Sequence, residues 1–299
     1  MSIFISKENT RIGWIGTGIM GRPMCGHILG GGYQTSIYNR TQSKAEDLIN
    51  NGGVWCTSPE EVAKNSNIIF TILGYPKDVR EVYFGKEGIF SSLISGTVLV
   101  DMTTTEPSLS IDIYNKAKDI GVYAVDAPVS GGDIGAQNAK LSIMVGGDEE
   151  IVSSILPLLK LMGNQIVYEG GPGAGQHTKV CNQITVGGVM TGICEALLYS
   201  YKAGLDPDTM IKTVCAGAAS TWLMENLGPK IIDNDLNPGF FVDHFIKDLG
   251  IAIAECKRMN LDLPGLNLSN KLYEKTRDLG YGKLGTQALF LALKDISEN

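Results

Sequence analysis

Short apolar runs alternate with amphipathic stretches through the first 170 residues of this chain, and the alternation then stops. The runs at 12–15, 35–38, 67–73, 97–101, 123–126, 141–145 and 165–168 are rich in β-branched side chains and bounded by turn residues. That pattern predicts buried strands of a parallel sheet. Between them, 20–29 and 42–50 carry helical spacing. Gly30-Gly31-Gly32 closes the first and Asn51-Gly52-Gly53 the second, as glycine after a last turn commonly does. Ser58-Pro59-Glu60-Glu61 is a helix start, with serine as N-cap and proline at the first helical position. Strands separated by helices imply βαβ units and a sheet covered on both faces.

After Gly170 the strand signals vanish. The stretch 176–203 is long and apolar, punctuated by Gly187, Gly188 and Gly192. Helical spacing recurs at 206–216, 221–227, 243–259, 266–279 and 285–294, so the second half is expected to be all-α. Two domains are expected, 1–170 and 171–299, which suits a chain of 299 residues.

Composition narrows the class. Hydrophobic residues make up 43% and charged residues 19%, an ordinary globular balance. A formal net charge of -7 argues against nucleic-acid binding, which leans on Lys and Arg to neutralise phosphates. The six cysteines form no C-x-x-C pair and no zinc-type spacing with histidine, so buried reduced thiols in a reducing cytoplasm and no metal are expected. The first eleven residues lack the apolar core of a signal peptide, and no stretch reads as ~18 continuous apolar residues, so no membrane partner is expected.

The segment Gly16-Thr17-Gly18-Ile19-Met20-Gly21 lies between a predicted strand and a predicted helix. In that context G-x-G-x-x-G is a dinucleotide-binding loop. The first glycine makes the tight turn, the second lets backbone N–H groups approach a pyrophosphate, and the third allows close helix packing. The helix N-terminus adds partial positive charge. The expected fold is therefore α/β, a Rossmann-type doubly wound parallel sheet followed by an all-α C-terminal domain. The second strand ends in Asn39-Arg40-Thr41, where NAD enzymes carry an acidic residue for the ribose 2′-hydroxyl. Arg40 can pair with a 2′-phosphate instead, which favours NADP over NAD. Leu73-Gly74 and the 101–104 segment containing Thr103 end two further strands, where a doubly wound sheet places its ligand.

Three segments carry candidate chemistry. Ser130-Gly131-Gly132 could present N–H groups and a hydroxyl to a small carboxylate, or be an ordinary turn. Lys179, Asn182 and Gln183 share one face of the long apolar helix. A lysine there either snorkels to solvent or is buried for proton transfer, since burial lowers an ammonium pKa. Lys247 could reach cofactor or substrate, or pair with a neighbouring carboxylate.

Together these segments resemble the β-hydroxyacid dehydrogenase family, which includes 3-hydroxyisobutyrate dehydrogenases, tartronate semialdehyde reductases and glyoxylate/succinic semialdehyde reductases. The similar stretches are 13–24, 126–132, 173–183 and the C-terminal Asn237-Pro238-Gly239-Phe240 and Lys247-Asp248-Leu249, in the family's order along nearly the whole chain. The resemblance implies reversible hydride transfer between NADP(H) and a small semialdehyde acid. It makes Lys179 the general acid/base, Asn182 or Gln183 an orienting group, Ser130, Gly131 and Gly132 the carboxylate site, and Lys247 a cofactor- or substrate-proximal residue. Many relatives have Asn-Asn where this chain has Asn182-Gln183. Trp222 and Phe240 are expected in the substrate wall, and a homodimer or homotetramer is expected. An imine reductase-like enzyme and a non-catalytic NADP-binding interaction protein are the competing readings; the retained Lys179 speaks against both.

Overall fold

The structure is a computed structural model that describes residues 5–298; Met1 to Phe4, part of the segment expected not to be a signal peptide, lie outside it. Contacts divide the chain into two compact units that meet in sequence between Lys179 and Val180.

The first unit runs β1 (Arg11–Ile15), α1 (Gly21–Gly30), β2 (Gln34–Tyr38), α2 (Glu46–Asn50), β3 (Val54–Trp55), α3 (Pro59–Asn65), β4 (Ile68–Thr71), α4 (Pro76–Phe84), β5 (Val98–Asp101), α5 (Pro107–Asp119), β6 (Tyr123–Asp126), β7 (Val129–Ser130), α6 (Gly132–Gln137), β8 (Leu141–Gly146), α7 (Glu149–Leu159) and β9 (Gly163–Gly170). The strands form one sheet in the order β3-β2-β1-β4-β5-β6-β8-β7, with β9 also paired to β8. The chain winds outward from β1 through β2 to β3, then crosses back to β4 on the other side of β1. That reversal is the switch point of a doubly wound sheet, and the carboxyl ends of β1 and β4 flank it.

Side chains alternate between two cores on opposite sheet faces. Ile12, Trp14, Ile68, Phe70, Val98 and Val100 enter one, and Ile15, Ile69 and Leu99 the other. The expected buried strands β4 and β5 are buried at every position. Trp14 stacks on Phe70 with ring centroids 5.5 Å apart, and its indole N–H donates to the carbonyl of Gly16 at 2.8 Å. The core thus fixes the start of the glycine loop. Ser58 caps α3 as expected, its hydroxyl accepting from the Glu61 N–H at 3.1 Å.

The sheet is parallel from β3 to β6, as expected, and carries antiparallel pairs toward one edge, which were not expected. β8 pairs antiparallel with both β6 and β7. The connection from β6 to β8 holds only a two-residue strand and a six-residue helix. Such a helix spans about 9 Å, too short to return the chain along a strand of about 20 Å. β3 and β7 were not expected, because two residues carry no readable periodicity.

The second unit is all-α as expected: most of α8 (Ala174–Lys202), then α9 (Pro207–Cys215), α10 (Trp222–Ile232), α11 (Val242–Arg258), α12 (Pro264–Thr276) and α13 (Leu289–Glu298). Its core centres on Phe245 and Tyr273, whose rings meet edge to face at 4.7 Å. The Tyr273 hydroxyl donates to the Thr286 carbonyl at 3.0 Å, which ties α12 to the turn before α13.

Two composition-based expectations need correction. By length and composition alone, α8 is long and apolar enough to cross a membrane. Its aliphatic residues are interrupted by polar ones, and it buries Gln183, Thr191 and Ser200 along its length. The cysteines are all free, but not all are buried: Cys181 is exposed, and Cys215 is half-buried against the edge of the helical core.

Candidate active site

The glycine loop has the geometry of a phosphate cradle. Gly16 sits at φ +102°, and a Cβ there would lie 2.1 Å from the Ile72 carbonyl oxygen. A Cβ on Gly21 would lie 2.1 Å from the Gly16 oxygen. Both glycines are required by the protein's own packing. Gly18 differs: it is exposed, and a Cβ there would meet nothing within 4 Å. The backbone of the loop continues into α1 at Gly21. The Thr17 N–H donates to Asn39 Oδ1 at 3.0 Å, and Asn39 Nδ2 donates to the Thr41 carbonyl at 2.8 Å, so the loop and the end of β2 are one assembly. Thr17 Oγ1 is buried without a hydrogen-bond partner. An open glycine, an unpartnered hydroxyl and a helix N-terminus together fit a dinucleotide pyrophosphate. Ile19 is exposed and Met20 half-buried.

Arg40 follows β2 with its side chain 85% exposed, and its guanidinium lies 3.4 Å from Asp78 Oδ1. Asp78 comes from the first turn of α4, a carboxylate that the local Asn39-Arg40-Thr41 pattern could not reveal.

The carboxyl ends of β4, β5 and β6 are tied together by buried polar contacts. The Thr71 hydroxyl donates to Asp101 Oδ1 at 2.8 Å and lies 2.9 Å from the Tyr83 hydroxyl. The Thr103 N–H donates to the same carboxylate oxygen at 3.1 Å, and Thr103 Oγ1 accepts from the Leu73 N–H at 2.9 Å. Leu73, Gly74 and Thr103 are thereby held beside the switch point, with Thr103 buried and the other two half-buried. In register with Asp101 lies Asp126 on β6. The Asp126 carboxylate accepts from the N–H groups of Gly173 at 2.8 Å and Gln176 at 2.9 Å, at the start of α8.

The two aspartates have unequal surroundings. Burial pushes the Asp101 carboxyl up to about 6, against the hydrogen bonds from Thr103 and Thr71, and the nearby Asp126 charge pushes it further the same way. Burial also raises Asp126, but the backbone N–H groups of Gly173, Gln176 and Gly175 oppose it. Asp101 Oδ2 and Ser110 Oγ have no hydrogen-bond partner, and both residues line a small cavity that also touches Asp126 and Pro172.

Ser130 is the last residue of a strand paired with Ser142 on β8, so it is not part of a free turn as expected. The turn is made by Gly131 and Gly132, at φ +127° and +62°, which carry the chain into α6. The alternation of small and polar residues there gave no strand signal.

Lys179 is buried in the second turn of α8, 7% exposed, which argues against the snorkelling alternative. The first turns of α8 belong to the sheet-bearing unit because Asp126 and the 103–105 segment hold them. The first compact unit therefore runs through Lys179.

In the second unit, Asn182 Nδ2 donates to Gln183 Oε1 at 2.6 Å, and Gln183 Nε2 donates to Asp248 Oδ2 at 2.6 Å. Lys247 Nζ lies 2.7 Å from Asp248 Oδ1. The structure thus brings Asn182, Gln183 and Lys247 together around one buried acid. Lys247 is 13% exposed and Asp248 2%, so this is not a surface ion pair. The role of Asp248 as the hub was not read from the sequence; an acid inside an apolar helix face was the available signal. Trp222 is the first residue of α10, half exposed, after the Thr221 cap. Phe240 packs edge-on against Phe245 at 5.7 Å.

Comparison with known proteins agrees with this architecture. Residues 11–170 match the NAD binding domain of 6-phosphogluconate dehydrogenase, and residues 173–293 match the NAD-binding domain of NADP-dependent 3-hydroxyisobutyrate dehydrogenase. The chain is 49% identical to probable 3-hydroxyisobutyrate dehydrogenase-like 1, mitochondrial, of Arabidopsis thaliana, over 99% of this chain and 89% of that one. It is 36% identical to 2-hydroxy-3-oxopropionate reductase of Escherichia coli, over 95% and 97%. The solved 3-hydroxyisobutyrate dehydrogenase of Mycobacterium tuberculosis superposes with a TM-score of 0.86 at 27% identity, covering 95% of this chain and 99% of that one. The chain belongs to the β-hydroxyacid dehydrogenase family and is an NAD(P)-dependent oxidoreductase of that family.

Proposed function

We propose that this enzyme interconverts a small 3-hydroxy or ω-hydroxy carboxylic acid and its semialdehyde, with NADP(H) as cofactor and Lys179 as general acid/base. The observation that carries this reading is a lysine only 7% exposed on α8, one turn past a residue bonded to the 103–105 segment. A bound nicotinamide supplies or accepts the hydride. In reduction Lys179 delivers a proton to the carbonyl oxygen as the alcohol forms; in oxidation it takes that proton back. Positioned proton transfer contributes roughly 10²- to 10⁴-fold. Gln183, fixed by Asp248, and Asn182, fixed by Gln183, offer carboxamides of defined orientation to the lysine or to the substrate oxygen. The N–H groups of Gly131 and Gly132 and the Ser130 hydroxyl hold the substrate carboxylate, and Trp222 and Phe240 remain the proposed substrate-wall residues. The names of the Arabidopsis and Escherichia coli relatives support a short hydroxy acid as substrate.

The preference for NADP rests on Arg40. It stands at the end of β2 with an exposed guanidinium, and Asp78 beside it is a weak surface partner that a 2′-phosphate can displace. Lys247 remains the proposed cofactor- or substrate-proximal residue, held against Asp248. The experiment is turnover of NADPH and NADH with glyoxylate, succinic semialdehyde and tartronate semialdehyde by the parent and Arg40→Ala. The expected result is a higher kcat/KM with NADPH, lost selectively in Arg40→Ala; a preference for NADH sinks the assignment.

A homodimer or homotetramer in a reducing, cytoplasmic setting completes the proposal. The exposed side of α8 is lined by Cys181, Thr185, Gly188, Gly192, Ala196 and Tyr199, small enough over most of its length for another helix to approach closely. Light scattering of Gly188→Glu against the parent tests it: a fall in mass supports the assembly, and a monomeric parent contradicts it.

A further inference from the structure

Gln176 is fully buried, and each end of its carboxamide is committed to the backbone after β5. Nε2 donates to the Thr103 carbonyl at 2.7 Å, and Oε1 accepts from the Thr105 N–H at 3.1 Å. The backbone partners, one acceptor and one donor, allow only this orientation of the amide. Its own N–H donates to Asp126 at 2.9 Å. Three bonds therefore fix one residue of α8 against the carboxyl ends of β5 and β6. The Thr103 side chain is in turn bonded to the Leu73 N–H after β4. Lys179 follows three residues later, about 4.5 Å along the helix axis and on the same face. Few positions in α8 could set the height and rotation of that lysine so directly.

We propose that Gln176 is a positioning residue: its carboxamide locks the start of α8 to the 103–105 segment and so holds the Lys179 ammonium at the distance proton transfer requires. The inference rests on the reading of Lys179 as general acid/base. With both ends of its carboxamide committed to backbone, Gln176 acts through Lys179 and not on substrate. It acts by preventing the small helix shift that proton transfer tolerates poorly, since a misplacement of about 1 Å far from the chemistry can cost about 10²-fold in rate.

The test uses the full chain with NADPH and the best of glyoxylate, succinic semialdehyde and tartronate semialdehyde. Gln176→Met keeps the volume and removes both side-chain bonds; Gln176→Glu keeps the acceptor for Thr105 and sets a carboxylate against the Thr103 carbonyl. The expected result for either folded variant is a kcat lower by about 10- to 100-fold, an NADPH Kd within two-fold of the parent, and a shifted alkaline limb in the pH profile of kcat. A parent-like kcat and pH profile in a folded variant overturns the inference. So does failure of both variants to fold and bind NADPH, which makes Gln176 a structural residue. Lys179→Ala is measured alongside. If that variant keeps its activity, the reading of Lys179 itself fails; if it is inactive while Gln176→Met is parent-like, only the present inference fails.

Discussion

Replacing Asp101 by asparagine should stabilise this protein at neutral pH and leave it nearly unchanged in acid. Asp101 Oδ1 accepts from Thr71 and Thr103, and an asparagine oxygen can accept both bonds in the same place. Oδ2 has no partner; an asparagine Nδ2 there would have the equally unpartnered Ser110 Oγ available as an acceptor across the cavity both residues line. The folded protein holds the proton of Asp101 up to about pH 6, against 3.8 for an unperturbed aspartate. Between those values the native state binds more protons than the unfolded state, so stability falls as pH rises. The contribution is fully present below the unfolded value and lost above the folded one. At about 1.36 kcal/mol per pH unit, ionising Asp101 inside the fold costs about 3 kcal/mol by pH 7 and about half of that near pH 5.

Asparagine mimics the protonated acid and escapes that cost. Urea unfolding of the parent and Asp101→Asn at pH 4, 5, 6 and 7 measures the difference directly. Ionisations of the exposed carboxylates cancel between the two proteins. The expected difference grows from well under about 1 kcal/mol at pH 4 to about 3 kcal/mol in favour of the variant at pH 7. A difference that is constant with pH, or a variant less stable at pH 7, would refute the reasoning that Asp101 ionises against its surroundings.

The remaining predictions are local. Gly18→Ala should fold with parent stability yet lose affinity for NADPH, because its Cβ meets no protein atom but enters the space a pyrophosphate approaches; calorimetric titration beside thermal unfolding checks both halves. Gly16→Ala should fail in both respects, since its Cβ would press on the Ile72 carbonyl at a φ of +102°. Ser58→Ala removes the cap on the Glu61 N–H and should lower stability by about 1 kcal/mol without altering NADPH binding.

The strands that carry the site were legible because each buries both faces and so reads as a continuous apolar run, as β4 and β5 do. The glycine loop was legible because its residues are dictated by backbone sterics, which a sequence records directly at Gly16 and Gly21. Partners from distant segments were not. Asp78 reaches Arg40 across 38 positions, and Asp248 reaches Gln183 across 65, and no local periodicity connects either pair. Gln176 reads as one polar residue near a helix start until the 103–105 backbone is placed against it. The antiparallel edge escaped for a different reason: strand direction is decided by what the connection between β6 and β8 can span, not by the strands' own composition.

The role of Lys179 is tested by single-turnover oxidation of NADPH by Lys179→Ala and the parent, with semialdehyde saturating and cofactor binding measured on the same samples. A general acid/base at this position makes the variant's rate lower by roughly 10²- to 10⁴-fold with an unchanged NADPH Kd. A variant that oxidises NADPH at the parent's rate would contradict that role.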